Sequence, residues 1–248
     1  MVIGLVAPMI GMFLVLRRFA IFADALGHAA LMGVALGVLL GISPVLAALV
    51  VCMGVAFVVE RLRAHRRLPS EATLALFLSG SLAIAIVIIS LTQGFSVNIM
   101  GYLFGSITTV QSSDLWVIVG LGVIAILVIV GLFKELFYIS FDEESARVSG
   151  LPIRYINLIL VGLAALTVAL AMRIVGILLV GALMVIPVLS AFQIARSFTG
   201  ALKLAVAFSL VSVLTGLVSS YYLDVAAGGA IVVVALFFFL ISLAFKRS

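Results

Sequence analysis

The sequence predicts an all-α, polytopic membrane protein, a bundle of about eight or nine transmembrane helices joined by short loops. Composition is the first reason: 66% of the 248 residues are hydrophobic and only 9% are charged, whereas a soluble domain carries about 25% charged residues to cover its surface. The second reason is pattern, because the long apolar runs lack the alternation that transmembrane strands require. Helices, which satisfy their own backbone groups in lipid, are therefore expected.

Nine apolar stretches are candidates for membrane crossings, since a helical crossing needs roughly 20 largely apolar residues. A single helix over residues 156–190 would be roughly 50 Å long, too long for a hydrocarbon core of about 30 Å, so we predict two spans that turn near Arg173. The weakly apolar segment 94–113 is predicted to be external or re-entrant. The nine stretches lie near residues 2–16, 29–41, 44–60, 72–91, 115–132, 156–172, 174–190, 203–222 and 228–245.

The basic residues predict the orientation, because loops rich in Lys and Arg remain in the cytoplasm. If segment 60–71 is cytoplasmic, thirteen of the 14 Lys and Arg residues fall on that side and only Arg173 lies outside. The N-terminus is then external and the C-terminus cytoplasmic. The net charge of +5 follows from this topology. No aromatic–basic stripe suited to nucleic acid is present, so the expected surroundings are lipid and not nucleic acid.

Short loops predict one transmembrane domain over residues 1–248. The sequence contains neither a G-x-x-x-x-G-K-[ST] phosphate loop nor the H-E-x-x-H motif of a metalloprotease. Its single cysteine, Cys52, excludes an internal disulfide and a cysteine-rich metal cluster. We therefore expect a chain with no enzymatic activity of its own and no permanently bound cofactor.

One cytoplasmic loop, SFDEESARVSGLPIRYIN (140–157), contains more than a connection. Acidic residues follow Ser140 in the pattern of a helix N-cap and first turn, and Gly150 and Pro152 provide a stop. We predict a short amphipathic helix outside the bilayer, with a solvated, well-capped loop as the alternative. The acidic residues are Asp142, Glu143 and Glu144.

Glycine and proline also fall inside or beside the predicted spans, where we expect helix breaks or gates. Interrupted helices at depth often line a substrate path, because the freed backbone groups need a cavity. Tight helix packing is the alternative for each residue. The candidates are Gly176, Gly181, Pro187, Gly228 and Gly229.

Asp24 and His28 are the candidate metal ligands. Residues four apart lie on one helix face, with about 5–6 Å between their Cβ atoms, so this carboxylate and imidazole can share one Zn²⁺, Mn²⁺ or Fe²⁺ ion. Two ligands make a weak site, which suits an ion that must also leave. Two other interpretations remain open: a helix cap at Asp24 with a core histidine at His28, and a proton relay.

Residues 13–37, FLVLRRFAIFADALGHAALMGVALG, resemble the signature of the permeases of metal-ion ABC importers, the zinc and manganese uptake family. Further similar stretches are YLFGSI (102–107), FDEESARVSGLP (141–152), RIVGILLVGALMVIPVLSA (173–191) and YYLDVAAGGAIVVV (221–234). The resemblance extends over essentially the whole chain. One difference is that relatives often have Pro-Ser/Thr-Gly where this chain has AAGG (226–229), which alters the expected outer gate.

This resemblance implies a homodimer of permeases in the bacterial cytoplasmic membrane, working by alternating access. Each copy would dock to a cytoplasmic ATP-hydrolysing subunit, and an extracytoplasmic metal-binding protein would deliver the ion. The family's D-x-x-x-H stretch corresponds to Asp24 and His28 and implicates both in the ion path. Segment 141–154 would couple to the ATPase through Asp142, Glu143, Glu144, Arg147, Gly150 and Arg154.

Two other transporter classes are weighed against this expectation. Importers for siderophores and cobalamin share the coupling-loop pattern but lack the acid–histidine pair. A proton-coupled secondary metal transporter would use the same pair without an ATPase. Oxygen and nitrogen ligands suit zinc, manganese and iron alike, and the affinity order of divalent metals favours zinc.

Overall fold

In a computed structural model, residues 1–64, 69–91, 99–105, 112–172 and 175–245 are described, and within these ranges the chain forms twelve helices and no strand. The all-α prediction is confirmed. The helices are α1 (Val2–Leu16), α2 (Phe22–Leu39), α3 (Pro44–Ala64), α4 (Ser70–Leu91), α5 (Ile99–Phe104), α6 (Ser112–Gly131), α7 (Phe133–Phe141), α8 (Glu143–Val148), α9 (Ile153–Ala171), α10 (Ile177–Ile194), α11 (Phe198–Leu223) and α12 (Ala227–Ala244).

The helices that could cross a membrane coincide with the apolar stretches of the sequence. Among the described residues, six helices are long and apolar enough on their own (α2, α3, α4, α9, α11 and α12), and the bent pair α6–α7 provides a seventh. Two more apolar helices, α1 and α10, are shorter. Together these agree with the prediction of about eight or nine spans, and the chain is a multi-pass membrane protein.

Helix α2 lies at the centre of the bundle, between α3, α4 and α10. In the most apolar 18-residue stretch of α2, 67% of the residues are buried, against 22% in the corresponding stretch of the peripheral α4. Close packing depends on glycine: a Cβ added at Gly33 would lie 2.4 Å from the Cα of Ala48 in α3. The helix begins at Phe22, whereas the apolar stretch begins near residue 29, so Asp24 and His28 are both inside α2.

The predicted coupling segment is formed by α8 and the ends of its two neighbours. Helix α7 is bent by 64° relative to α6 and continues through Ser140. The N-cap of α8 is therefore Asp142, whose side chain accepts a hydrogen bond from the Ser145 amide, and the predicted start of the short helix at Ser140 is wrong. Gly150, with φ +82°, ends this region before α9.

The predicted turn between the ninth and tenth helices is confirmed, since α9 ends at Ala171 and α10 begins at Ile177. Arg173 itself lies outside the described residues, as do most of the residues of segment 94–113. What is described of that segment includes α5, which packs against α10 and α12. Helix α10 continues through Gly181 and Pro187, so neither residue ends it, and a gating role for them stays a prediction.

A tight contact forms where α5, α10 and α12 meet. It is here called the outer junction, because the topology predicted from the basic residues places this end of the bundle outside. It consists of Phe104, Val175, Gly176 and Gly228. A Cβ added at Gly228 would lie 2.0 Å from the Val175 carbonyl oxygen and 2.8 Å from that of Phe104. Gly176 has φ +92°, and a Cβ added there would lie 2.4 Å from the Leu103 carbonyl oxygen, so only glycine fits there without strain.

Candidate metal pathway

Asp24 and His28 occupy the first two turns of α2, on one face of the helix. His28 is half-buried in the bundle, whereas Asp24 is exposed. The ring of His28 contacts Leu78, which is about 12 Å along α4 from Ser70 at 1.5 Å per residue. Because α4 is long and apolar enough to cross a membrane and the hydrocarbon core is about 30 Å thick, we infer that the pair lies at membrane depth.

The His28 imidazole is oriented by one hydrogen bond. Its Nδ1 lies 3.2 Å from the backbone carbonyl oxygen of Leu78, so Nδ1–H donates to that oxygen. The tautomer that makes this bond carries its lone pair on Nε2, and a backbone carbonyl behind the ring is a common way of orienting a metal-binding histidine. The bond is also what the core-histidine interpretation predicts, although the ring is only half-buried.

The Asp24 carboxylate rests against the backbone of α10 at Gly181. A Cβ added at Gly181 would lie 1.9 Å from Asp24 Oδ1 and 3.0 Å from its Cγ. Asp24 remains exposed despite this contact. The N-cap of α2 is Ile21, and it makes no side-chain cap bond, so the interpretation of Asp24 as a helix cap is wrong.

Within the described residues, this point has two strong candidate ligands. Among the described residues, no group of three or more His, Cys, Asp or Glu side chains could hold a metal ion. A carboxylate oxygen and an imidazole nitrogen suit a divalent transition metal. The arrangement can therefore ligate an ion briefly and leaves coordination positions open for water or for a second copy of the pair.

The contact between Gly181 and Asp24 makes a specific prediction. Gly181→Ala should displace the Asp24 carboxylate and raise the KM for metal uptake on the order of tenfold, with a smaller effect on the maximal rate. Gly54→Ala in α3, where an added Cβ meets open space, should leave both parameters unchanged.

A double-mutant cycle distinguishes positioning from packing at Gly181. If Gly181 acts through Asp24, adding Gly181→Ala to Asp24→Ala should have no further effect on uptake. Equal losses from Gly181→Ala in both backgrounds would mean that the glycine serves helix packing alone.

The coupling segment borders a polar cleft of about 590 Å³. Of the predicted coupling residues, Glu143, Glu144, Arg147 and Arg154 line this cleft. Asp142 instead caps α8, and Gly150 provides the turn before α9. The cleft presents both acidic and basic groups, as a docking surface for a charged protein would.

Hydrogen bonds from the hydroxyl and amide of Ser145 lower the pKa of the exposed Asp142 carboxyl. Because the folded-state pKa is lowered, the contribution of this cap to stability is present above the ordinary value of about 3.9 and is lost as the pH falls below it. The contribution of this cap to stability is therefore constant across the physiological pH range.

Sequence reasoning identified Asp24 and His28 but missed the partners that orient them, Leu78 and Gly181. It also missed Arg17, Glu60, Arg63 and Asn157, which surround the coupling segment. The Arg-Arg pair at the end of the first apolar run was the one available signal for Arg17.

Comparison with known proteins shows which family this chain belongs to. Residues 1–246 match the profile of the ABC 3 transport family. The chain belongs to the ABC 3 transport family. The predicted resemblance is thus confirmed over nearly the full sequence, and this family consists of membrane components of ABC transporters.

Three similar proteins illustrate the range of the family. The high-affinity zinc uptake system membrane protein ZnuB of Haemophilus influenzae is 34% identical, over 99% of this chain and 94% of the relative. The manganese import system permease protein ScaB of Streptococcus gordonii is 32% identical, over 97% and 86%. In the structure of PsaBC from Streptococcus pneumoniae in complex with Fab, one chain aligns with a TM-score of 0.81 at 33% identity, over 97% of this chain and 87% of that one.

Proposed function

We propose that this ABC 3 family chain is the permease subunit of an ATP-driven importer that carries zinc or manganese across the bacterial cytoplasmic membrane. The observation that carries the proposal is the Asp24–His28 pair. Its side chains are oriented by Leu78 and Gly181, Asp24 is exposed, and the neighbouring helix α4 is long and apolar enough to cross a membrane. Ionisable residues inside a membrane bundle are rare and usually serve transport.

The relatives support a metal cargo, since one is named for zinc uptake and another for manganese import. The ligand chemistry is compatible with both metals. Zinc binds more tightly than manganese to a given set of nitrogen and oxygen ligands, so zinc is the first candidate. Manganese would need to exceed zinc in availability at the external side.

A homodimer would complete the site. Two copies of the pair facing each other would supply two carboxylates and two imidazoles, a set that matches the four-coordinate preference of zinc. Alternating access would then expose this set first to the outside and then to the cytoplasm. The outer junction lies close to the pair, because Gly181 is only about 6 Å along α10 from Ile177, and we propose that its opening admits the ion.

Three partners follow from this function. An ATP-hydrolysing subunit would dock at the coupling segment and the adjoining polar cleft, on the cytoplasmic side with the C-terminus. A metal-binding protein would deliver the ion to the outer junction from the other side. A second permease copy would cover the face that carries Asp24. Coupling would pass through Glu143, Glu144, Arg147 and Arg154, with Asp142 and Gly150 fixing the shape of the segment.

The test is uptake of radioactive zinc and manganese by proteoliposomes that contain the permease, the ATPase and the binding protein. We expect uptake that requires ATP, saturates with one of the two metals and persists when a protonophore removes the proton gradient. Uptake that continues without ATP and stops with the protonophore would favour the proton-coupled alternative. Transport of a metal–chelate but not of the free ion would favour a siderophore-type importer.

A further inference from the structure

Arg17 joins the first helix to both sides of the coupling segment. It is the C-cap residue of α1. Its Nε donates a hydrogen bond of 3.0 Å to Ser140 Oγ in α7, and its Nη1 donates to Asn157 Oδ1 in α9. These partners are 123 and 140 residues away in the sequence, so one side chain connects three separate helices.

The two acceptors are fixed in position. Ser140 donates its own proton to the Leu136 carbonyl at 2.6 Å, which leaves its oxygen free to accept from Arg17. Asn157 is buried, with only 2% of its surface exposed. Arg17 is half-buried, and its planar guanidinium is pre-organised, so it loses little freedom when these two oriented acceptors hold it.

The turn beyond Arg17 leads directly to the metal pair. Phe19 and Phe22 stack with centroids 4.8 Å apart and are both buried, so residues 17–22 have little freedom to adjust. Asp24 follows in the first turn of α2. Any movement of Arg17 must therefore be passed to α2 or absorbed by repacking of this turn.

Arg63, at the end of α3, adds a second connection to the same turn. Its guanidinium lies over the Phe19 ring at 5.9 Å, pairs with Glu60 at 2.8 Å and reaches Glu143 of α8 at 3.5 Å. The longer contact to Glu143 is the weaker one, so α8 is held more loosely than α7. Arg17 is therefore the firmer connection between the coupling segment and the metal-bearing helix.

One donor of Arg17 has no partner. Its Nη2 is buried and makes no hydrogen bond within the described residues, although Glu60 and Glu143 are close enough to attract the charge and Arg63 is close enough to repel it. A buried unpaired donor is costly. A small shift of α8 that brings Glu143 to Arg17 would satisfy this donor and release Glu143 from Arg63.

We infer that Arg17 is the positioning residue that transmits movement of the coupling segment to the Asp24–His28 helix, with Glu143 exchanging between Arg63 and Arg17 during transport. This inference rests on the proposed ATP-driven function. It assigns Arg17 no contact with the metal or with the ATPase. Its loss should therefore separate ATP hydrolysis from uptake instead of stopping both.

The experiment measures ATP hydrolysis and zinc or manganese uptake together, in proteoliposomes that contain the full complex. Arg17→Gln should assemble with the ATPase and retain its hydrolysis rate, while metal transported per ATP falls about tenfold, within the range for a single coupling residue. Ser140→Ala, which removes one acceptor, should show a smaller fall in the same ratio. The matched control is Arg18→Gln, the same charge change at the adjacent, exposed residue, and it should preserve the ratio.

A parallel fall of hydrolysis and uptake in Arg17→Gln and Ser140→Ala would overturn the inference, as would a preserved ratio in both variants. If Arg17→Gln does not assemble, the inference is tested by Ser140→Ala alone, through the amount of metal transported per ATP hydrolysed. Failure of the proposed function would look different, because the wild-type complex itself would then show no ATP-dependent uptake.

Discussion

Asp24→Asn and His28→Ala are each expected to reduce metal accumulation by on the order of tenfold or more, while the permease still assembles with its ATPase. Asn keeps the shape of Asp24 but removes the charge that a divalent cation requires. Ala at position 28 removes the imidazole and leaves the Leu78 carbonyl without its donor. The measurement is cellular zinc and manganese content in a strain that depends on this permease, with pull-down of the ATPase to verify assembly.

Two controls limit the interpretation of these variants. Ser79→Ala changes an exposed polar residue adjacent to Leu78 in α4 and should not alter accumulation. His28→Gln retains a polar side chain of similar reach and should recover assembly if His28→Ala weakens it. Wild-type accumulation in both Asp24→Asn and His28→Ala would remove the pair from the ion path.

Gly228→Ala is expected to have the second large effect, because it inserts a methyl group into the outer junction. The added Cβ would lie 2.0 Å from the Val175 carbonyl oxygen, so the backbone of α12 or of the connection before α10 must shift. Overpacking of this kind usually costs about 1–3 kcal/mol. We expect a lower thermal unfolding temperature in detergent and loss of most uptake.

The adjacent glycine supplies a matched control for this prediction. A Cβ added at Gly229 meets no atom within 4 Å, so Gly229→Ala should unfold at the wild-type temperature and transport normally. Equal behaviour of the two variants would contradict the description of the junction. A stable Gly228→Ala permease that still loses uptake would support a gating role for this contact.

Lipid explains why so much of the fold could be predicted from the sequence. A chain with so few charged residues must span the membrane as helices, and each of the nine apolar stretches coincides with a helix of the described residues. The start of α2 was missed because Asp24 and His28 interrupt the hydropathy pattern, although α3, α4 and α10 bury the helix around them. Local hydropathy contains no information about these neighbours.

The candidate site was predictable as a pair but not as an arrangement. Spacing alone puts Asp24 and His28 on one helix face. Their contacts with Gly181 and Leu78 depend on packing between helices distant in the sequence, and so do the contacts of Arg17 with Ser140 and Asn157. The α8 cap was assigned to Ser140 instead of Asp142 because the sequence does not indicate that α7 extends through Ser140.

The central claim is that Asp24 and His28 act on the same transported ion, and a double-mutant cycle on ATP-dependent uptake tests it most directly. Wild type, Asp24→Asn, His28→Ala and the double variant would be compared in proteoliposomes at equal ATPase content. If both side chains ligate one ion, the uptake rate of the double variant should be no lower than that of the slower single variant. Losses that multiply would show that the two residues act independently and would contradict a shared metal site.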